Sequence, residues 1–157
     1  MKKTILVFLA LILSGQLALA QDYQTGIGVR GGVFSGVSFK HFVSPNDAVE
    51  AVAAFHFGGL FMAGMYQRHV MAFDVPGLNW YYGAGAHLGF YEGRDRPRWF
   101  DERDRNYVVF GVNGVVGIEY KIEEIPISIG LDVTPALNIV DRFRLWTGAG
   151  LTLRYVF

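Results

Sequence analysis

The sequence has no cysteine, so it forms no disulfide and offers no thiolate ligand to a metal. It also has no net charge, because 14 basic residues balance 14 acidic ones. Proteins that bind nucleic acid usually carry an excess of Lys and Arg, which this composition lacks. These absences exclude a disulfide scaffold and disfavour a nucleic-acid partner.

Long hydrophobic runs are lacking after the first twenty residues. The strongest candidate, 51–65, is shorter than the roughly 18 residues expected of a membrane helix, and Gly58-Gly59 interrupts it. We therefore interpret it as two strands of a hairpin. Without a helix, a chain can cross lipid only as a closed barrel, because open sheet edges leave backbone groups unpaired.

Residues 1–20 have the pattern of a secretory signal peptide. Lys2 and Lys3 precede an apolar stretch at 5–13, and Ala18-Leu19-Ala20 forms a small-residue cleavage site before Gln21. A short anchor helix is the alternative, but the apolar stretch is shorter than the ~20 residues such a helix needs. We expect a secreted mature domain at 21–157.

The sequence is rich in glycine, and apolar residues alternate with small or polar ones along much of it. Its 20 glycines and 52% apolar content suit a β-protein with a narrow interior. Residues 143–157 read FRLWTGAGLTLRYVF, in which one alternate set is mostly apolar and the other mostly small or polar, as in a β-strand. Between turn signals this pattern recurs and predicts eight strands, at 25–32, 37–43, 48–57, 60–73, 80–91, 107–120, 125–138 and 143–157.

The connections and aromatic residues favour a transmembrane barrel. The connections expected on the periplasmic side are compact, at Pro45, Pro76 and Glu123-Glu124, whereas the one long polar loop, 93–106, is expected outside. Alternation alone would also fit a soluble barrel or sandwich with apolar faces inward. The aromatic residues at strand ends favour the membrane: Trp80, Tyr120, Tyr155 and Phe157 on the periplasmic side, and Phe90, Phe110 and Phe143 on the external side.

With these features the chain resembles the small eight-stranded outer-membrane barrels of the OmpX and OmpA-transmembrane type. The resemblance covers 21–157 and rests on architecture and the C-terminal LRYVF, not on a residue motif of one family. It implies an all-β fold, namely an eight-stranded antiparallel transmembrane up-and-down β-barrel in the bacterial outer membrane. It also implies contact with outer-membrane lipid and lipopolysaccharide, insertion by the barrel-assembly machinery through the strand ending at Phe157, a monomer, and no cofactor.

The alternation places charged residues inside the predicted barrel. Eight strands enclose a space just wide enough for side chains, so buried charges there must pair. We interpret them as a structural ion-pair network, with a narrow polar path or small-ligand site as the alternative. Strand 4 alternates weakly, and there Gly64, Tyr66 and Arg68 are assigned inward. The predicted interior charges are Arg30, Lys40, Glu50, Arg68, Glu119, Asp132, Arg144 and Arg154.

The long loop, 93–106, is the second candidate for interaction. Arginines and acidic residues alternate around two aromatic rings, which fits a solvated, self-paired loop. The functional alternative is contact with lipopolysaccharide phosphates or a protein partner, because Arg forks suit phosphate oxygens and aromatic rings anchor interfaces. Its candidate residues are Arg94, Arg96, Arg98, Trp99, Phe100, Arg103 and Arg105.

Catalytic and metal-binding patterns are weak. No two of the four histidines have metal-ligand spacing on one strand face, and His41 and Ser44 would point to opposite faces. A lipid A-modifying enzyme would need a Ser/His/acid set or an equivalent. We therefore expect a non-enzymatic outer-membrane protein with a structural or surface-interaction role. A lipid A-modifying enzyme and a narrow channel or small-ligand carrier are the alternatives.

Overall fold

The computed structural model describes residues 23–56, 59–91, 107–139 and 144–157. Successive strands are antiparallel, and the last pairs with the first, so one closed barrel results. The predicted all-β, eight-stranded antiparallel barrel is confirmed. The described ranges contain no helix, and hence none that could cross a membrane. The strands are β1 Thr25–Gly32, β2 Gly36–Phe42, β3 Asp47–His56, β4 Gly59–Met71, β5 Leu78–Tyr91, β6 Tyr107–Ile122, β7 Ile127–Asn138 and β8 Arg144–Val156.

Exposure alternates along the strands with the period read from the sequence. In β8, Leu151 and Leu153 are exposed, whereas Thr152 and Arg154 are fully buried. Because successive side chains of a strand point to opposite faces, one set lines the interior and the other covers the outer wall. The polar set of β8 is the inner one. The outer wall of the barrel is therefore largely apolar, whereas the interior contains buried polar and charged side chains together with an apolar group that includes Phe61 and Met65.

The register predicted for strand 4 is wrong. The inner set of β4 is Phe61, Ala63, Met65, Gln67 and His69, all buried. Gly64, Tyr66 and Arg68 face outward, and the Arg68 side chain is 53% exposed and lies 3.5 Å from Asp47. Apolar residues occur on both faces of β4, so alternation of polarity did not identify the inner one.

Pro135 lies inside β7, not at its end. It remains paired with Thr147 of β8. On the other side, the β6–β7 ladder skips from Asn113–Ala136 to Val116–Val133. Proline has no backbone N–H to donate, which accounts for this one-sided interruption.

The barrel has two distinguishable ends. The terminal end carries Tyr23 and Phe157, where Thr25 N donates to Phe157 O at 2.8 Å, and also the compact turns at 43–46, 72–77 and 123–126. The loop end carries the connection at 33–35 and the opposite ends of the other strands. In the turn at 72–77, Phe73 and Asp74 adopt positive φ, and Val75 N donates to Ala72 O at 3.0 Å.

Several predictions fall outside the described residues. These are the signal peptide at 1–20, Phe143 at the external interface and the side chain of Arg144. The long loop falls outside as well, with its candidate residues Arg94, Arg96, Arg98, Trp99, Phe100, Arg103 and Arg105.

Candidate functional site

The interior of the barrel holds a network of paired charges at its centre. Glu119 Oε2, from β6, accepts a hydrogen bond from Lys40 Nζ at 2.7 Å and another from Arg154 Nη1 at 3.2 Å. Arg154 also pairs through Nη2 with Glu50 of β3. Two cations and two carboxylates therefore neutralise one another. All four side chains are at least 97% buried, where an unpaired charge would be very costly.

Neutral polar side chains add further hydrogen bonds to this central network. Ser38 Oγ donates to Glu50 Oε1 at 2.6 Å and accepts from Arg154 Nε at 3.1 Å. Gln67 Nε2 donates to Glu50 Oε2 at 2.5 Å. Four strands thus meet on one carboxylate, which fixes the position of Glu50.

A second ion pair joins β1 to β7. Both terminal nitrogens of the Arg30 guanidinium donate to the Asp132 carboxylate, and Nη1 lies 2.6 Å from Oδ2. Such a two-point arrangement is among the strongest ion-pair geometries. Tyr81 OH donates to Asp132 Oδ2 at 2.9 Å, and Lys40 Nζ lies 4.4 Å from the centre of the Tyr81 ring. Tyr81 therefore connects the two charged groups.

The terminal end of the interior is closed by Tyr23. Its hydroxyl donates to Glu119 Oε1, and its ring meets Phe42 edge-on with centroids 5.1 Å apart. Burial, and then the neighbouring Glu119 carboxylate, raise the pKa of the Tyr23 phenol above its usual value. The neutral phenol is thus favoured, as a donor to a carboxylate requires.

The loop end of the interior holds a group of four rings, which we call the mouth cluster: Phe34, Phe61, His87 and Trp146. Phe34 stacks on Phe61 with centroids 4.1 Å apart, and Phe61 stacks on His87 at 5.4 Å. Trp146 lies 4.7 Å from Phe34 and 6.0 Å from His87. Phe61 and His87 are buried, whereas Phe34 and Trp146 are half-buried.

Asn138 orients two rings of the mouth cluster. Its Oδ1 accepts from Trp146 Nε1 at 3.2 Å and lies 3.0 Å from His87 Nε2. Because Oδ1 can only accept, this bond requires a hydrogen on His87 Nε2. His87 Nδ1 has no hydrogen-bond partner within the described ranges. The same holds for both amide atoms of Asn113, which is 95% buried.

The predicted interior charges fall into three groups. Six are buried and paired as described: Arg30, Lys40, Glu50, Glu119, Asp132 and Arg154. Arg68 faces outward, and the Arg144 side chain lies outside the described part of the structure. The interior polar network expected from the sequence is therefore present, without Arg68.

Sequence reasoning missed several side chains of the interior. Phe61, Gln67 and His69 were missed because the register of strand 4 was wrong, and Tyr23 because it precedes the first strand. The signal for Gln67 was available: it is the polar residue beside Arg68 on the alternate face. In the described part of the chain, no three His, Cys, Asp or Glu side chains are arranged to hold a metal ion.

No family model matches this chain, and no curated protein does. The function must therefore be argued from the barrel itself.

Proposed function

We propose that this chain is an integral outer-membrane β-barrel with a structural or surface-interaction role. One observation carries the proposal: the buried ion pairs lie inside the barrel, whereas many large apolar side chains are exposed on its outer wall. A soluble barrel has the reverse arrangement, because burial of apolar surface is what stabilises it in water. An apolar outer wall around a charged interior is favourable when the barrel is surrounded by lipid.

The exposed apolar surface extends around the barrel. Val29 of β1, Phe55 of β3, Val116 of β6 and Leu131 of β7 are between 56% and 73% exposed. Soluble monomers rarely expose contiguous apolar patches beyond a few hundred Å². A wall of this kind would associate or precipitate in water, whereas acyl chains would cover it.

The closure and the lengths of the strands support the same proposal. Closure pairs every strand on both edges, as a hydrocarbon environment demands. Strands β3–β8 have 10 to 16 residues, enough for the ~9–11 that span a bilayer. Strands β1 and β2 are shorter, with 8 and 7 residues, so the barrel wall would be shorter along the barrel axis on that side.

Exposed aromatic residues near the two ends suit the bilayer interfaces. Trp80, Tyr120 and Tyr155 are exposed near the terminal end, with Phe157. Phe90 and Phe110 are exposed toward the loop end. We infer that the terminal end faces the periplasm and that the long loop, 93–106, faces outward, where it would contact lipopolysaccharide or a protein partner.

The filled interior favours a structural role over transport or catalysis. The charged side chains of the central network satisfy one another, which leaves none displayed as an acid, base or nucleophile with a partner in a cleft. We therefore propose no lipid A-modifying activity.

The proposal is tested by refolding the chain at 21–157 from urea into detergent micelles. We expect β-rich circular dichroism and an electrophoretic mobility that differs between unboiled and boiled samples, as for detergent-resistant barrels. The control is the same refolding in detergent-free buffer, where we expect precipitation. A monodisperse folded protein in plain buffer, with no mobility shift in any detergent, would show that the apolar wall is not lipid-facing.

A further inference from the structure

Arg68 and Asp47 form an ion pair on the outer wall of the barrel. Asp47 of β3 is the cross-strand partner of Arg68 of β4, and both side chains belong to the outward-facing sets of their strands. Within the described strands no other Asp, Glu, Lys or Arg faces outward. Charges on a lipid-facing wall are costly in the bilayer and tolerated only near its interfaces. This pair is therefore the exception on an otherwise uncharged surface.

The pair lies near the terminal end of the barrel. Asp47 is the first residue of β3, and Arg68 is three residues from the end of β4 at Met71. Exposed Trp80 is opposite Val70, the next outward-facing residue of β4. If the terminal end faces the periplasm, the head groups of the periplasmic leaflet are at this height. The inference made here rests on the proposed function in this respect.

The two charges hold each other loosely. Arg68 Nη1 lies 3.5 Å from Asp47 Oδ1, beyond the roughly 3.2 Å of a good N–H···O hydrogen bond. Asp47 is held by its own turn instead, because Ser44 Oγ donates to Oδ2 at 2.8 Å. The Arg68 side chain is 53% exposed, and a guanidinium has several N–H donors. Most of its hydrogen-bonding capacity is therefore directed toward the surroundings of the barrel.

Aromatic side chains with polar tips flank Arg68 on the outer face. Tyr82 of β5 is its cross-strand partner, and Tyr66 is the preceding outward-facing residue of β4. Phenol groups form hydrogen bonds while their rings stay in apolar surroundings, so they suit the boundary between head groups and acyl chains. Arg68 between two phenols is an arrangement that suits a phosphate group, because guanidinium and phosphate form strong charge-assisted hydrogen bonds.

Toward the middle of the bilayer, the wall beside this group is recessed. Ala51, Gly64 and Ala86 lie side by side on β3, β4 and β5, and all three face outward. A Cβ atom added at Gly64 would meet nothing within 4 Å, so no neighbouring side chain fills this space. The recess leaves room for an acyl chain that extends from a head group held at Arg68.

The charges of the pair select among phospholipid head groups. Phosphatidylethanolamine has an anionic phosphate and a primary ammonium, which complement Arg68 and Asp47 respectively. Phosphatidylglycerol has the phosphate but no cation, so Asp47 would lie beside a second negative group. Phosphatidylcholine has a cation without N–H groups, which cannot donate a hydrogen bond to a carboxylate. The phosphates of lipopolysaccharide belong to the opposite leaflet.

We propose that Arg68 and Asp47 bind the head group of phosphatidylethanolamine at the periplasmic end of the barrel. The phosphate accepts hydrogen bonds from the Arg68 guanidinium between Tyr66 and Tyr82, and the ammonium donates to Asp47 Oδ1. One acyl chain lies in the recess beside Gly64. The bound lipid thus satisfies both charges of the outer wall.

The test is lipid retention by the mature chain, read by native mass spectrometry. The chain at 21–157 is refolded into vesicles with equal amounts of phosphatidylethanolamine, phosphatidylglycerol and phosphatidylcholine, all with the same acyl chains, and then released into a nonionic detergent. We expect phosphatidylethanolamine to be retained about fivefold more than either other lipid, the preference that two weak ion pairs would give.

A second readout reports binding at the site itself. Trp80 is one of three tryptophans in the chain, so its indole N–H signal in an NMR spectrum is identified by its loss in Trp80→Phe. We expect this signal to shift in nonionic micelles when dihexanoyl phosphatidylethanolamine is added. The shift should be absent from Arg68→Met.

Each half of the head group has its own variant. Arg68→Met should abolish the preferential retention of phosphatidylethanolamine, because the phosphate loses its donors. Asp47→Asn removes the charge but keeps an acceptor for Ser44, so phosphatidylglycerol should then be retained as well as phosphatidylethanolamine. A change in lipid preference of this kind is not expected of a pair that only holds β3 to β4.

Two matched controls remove single charges near the terminal end but away from the pair. Lys121→Met acts on β6, where Lys121 belongs to the inner set, and Asp74→Asn acts in the turn at 72–77. Asn also tolerates the positive φ of Asp74. Both controls should keep the fivefold preference.

Folding is read separately from the mobility shift, so the two proposals fail in different ways. A chain that never folds in detergent would contradict the outer-membrane barrel and the lipid site together. A folded barrel that retains the three lipids equally, or whose preference survives Arg68→Met, would overturn the lipid site alone. A wild-type preference for phosphatidylglycerol would also overturn it, because Asp47 would then have no part in recognition. The predicted preference, lost in Arg68→Met and relaxed in Asp47→Asn, supports the site.

Discussion

At the scale of single residues, the interior charges are stable only as a set. The Glu119 carboxylate accepts hydrogen bonds from Lys40, Arg154 and Tyr23. Its negative charge therefore neutralises cations from two strands, and it is also the acceptor for the Tyr23 phenol. The Coulomb attraction of such a buried set roughly offsets the cost of removing its members from water. Loss of one member leaves that cost in place and removes the attraction.

Glu119→Gln should therefore destabilise the barrel strongly. We expect the free energy of unfolding to fall by about 3–5 kcal/mol, the usual cost of removing one partner of a buried ion pair. The measurement is equilibrium urea unfolding in micelles, followed by tryptophan fluorescence. Gln is nearly isosteric with Glu, so the loss reports the charge and not a cavity.

Arg68→Met is the matched control for Glu119→Gln. It also removes one charge of an ion pair, but the Arg68 side chain is 53% exposed and 3.5 Å from Asp47. Exposed pairs contribute about 0–1 kcal/mol, since solvent screens them. Equal losses in the two variants would contradict the assignment of Glu119 to the interior and Arg68 to the outer wall.

At the scale of strands, sequence predicted most elements because alternation and turn residues agree. β1 was predicted at the bounds it has, Thr25–Gly32, and its two neighbours in the barrel, β2 and β8, within one residue. The inward-facing residues of β4 were predicted wrongly, and the reason is physical. The loop-end half of the interior is apolar, with Phe61, Ala63 and Met65 inside, so the rule of polar residues inward does not hold there.

Contacts across the barrel could not be predicted from the sequence. Arg30 and Asp132 are 102 residues apart and meet because β1 and β7 both flank β8. Alternation identified each as inward-facing, but it contains no information on height or partner. The pairing of His87 with Asn138 is similarly a result of register, since both lie opposite Gly111.

The outer face of β7 offers a test of what surrounds the barrel. Val133, near the middle of the strand, and Ile125, in the adjoining turn, are 48% and 43% exposed. In lipid, Val133→Arg should cost about 2–4 kcal/mol and Ile125→Arg about 0–1 kcal/mol, because the penalty depends on depth in the bilayer. Urea unfolding from vesicles measures both. In water the two substitutions would have similar, small effects, and that result would contradict a lipid-facing wall.

At the scale of the whole molecule, side chains occupy the interior at three heights along the barrel axis. Tyr23 and Phe42 lie at the terminal end, the ion-pair network in the middle, and the mouth cluster at the loop end. The three groups of side chains are held by different interactions. A substitution that removes one group therefore leaves the other two in place. The side chains that support the barrel are also the ones that obstruct its axis.

This arrangement predicts that the barrel conducts no steady ionic current. In planar bilayers we expect no stepwise conductance from the wild type. Trp146→Ala should also be silent, although it removes the half-buried ring at the mouth, because the central network still obstructs the axis. The mobility shift of each sample confirms that a folded barrel was added. Reproducible current steps from the wild type would contradict a filled interior, whereas steps from Trp146→Ala alone would place the only effective obstruction at the loop end.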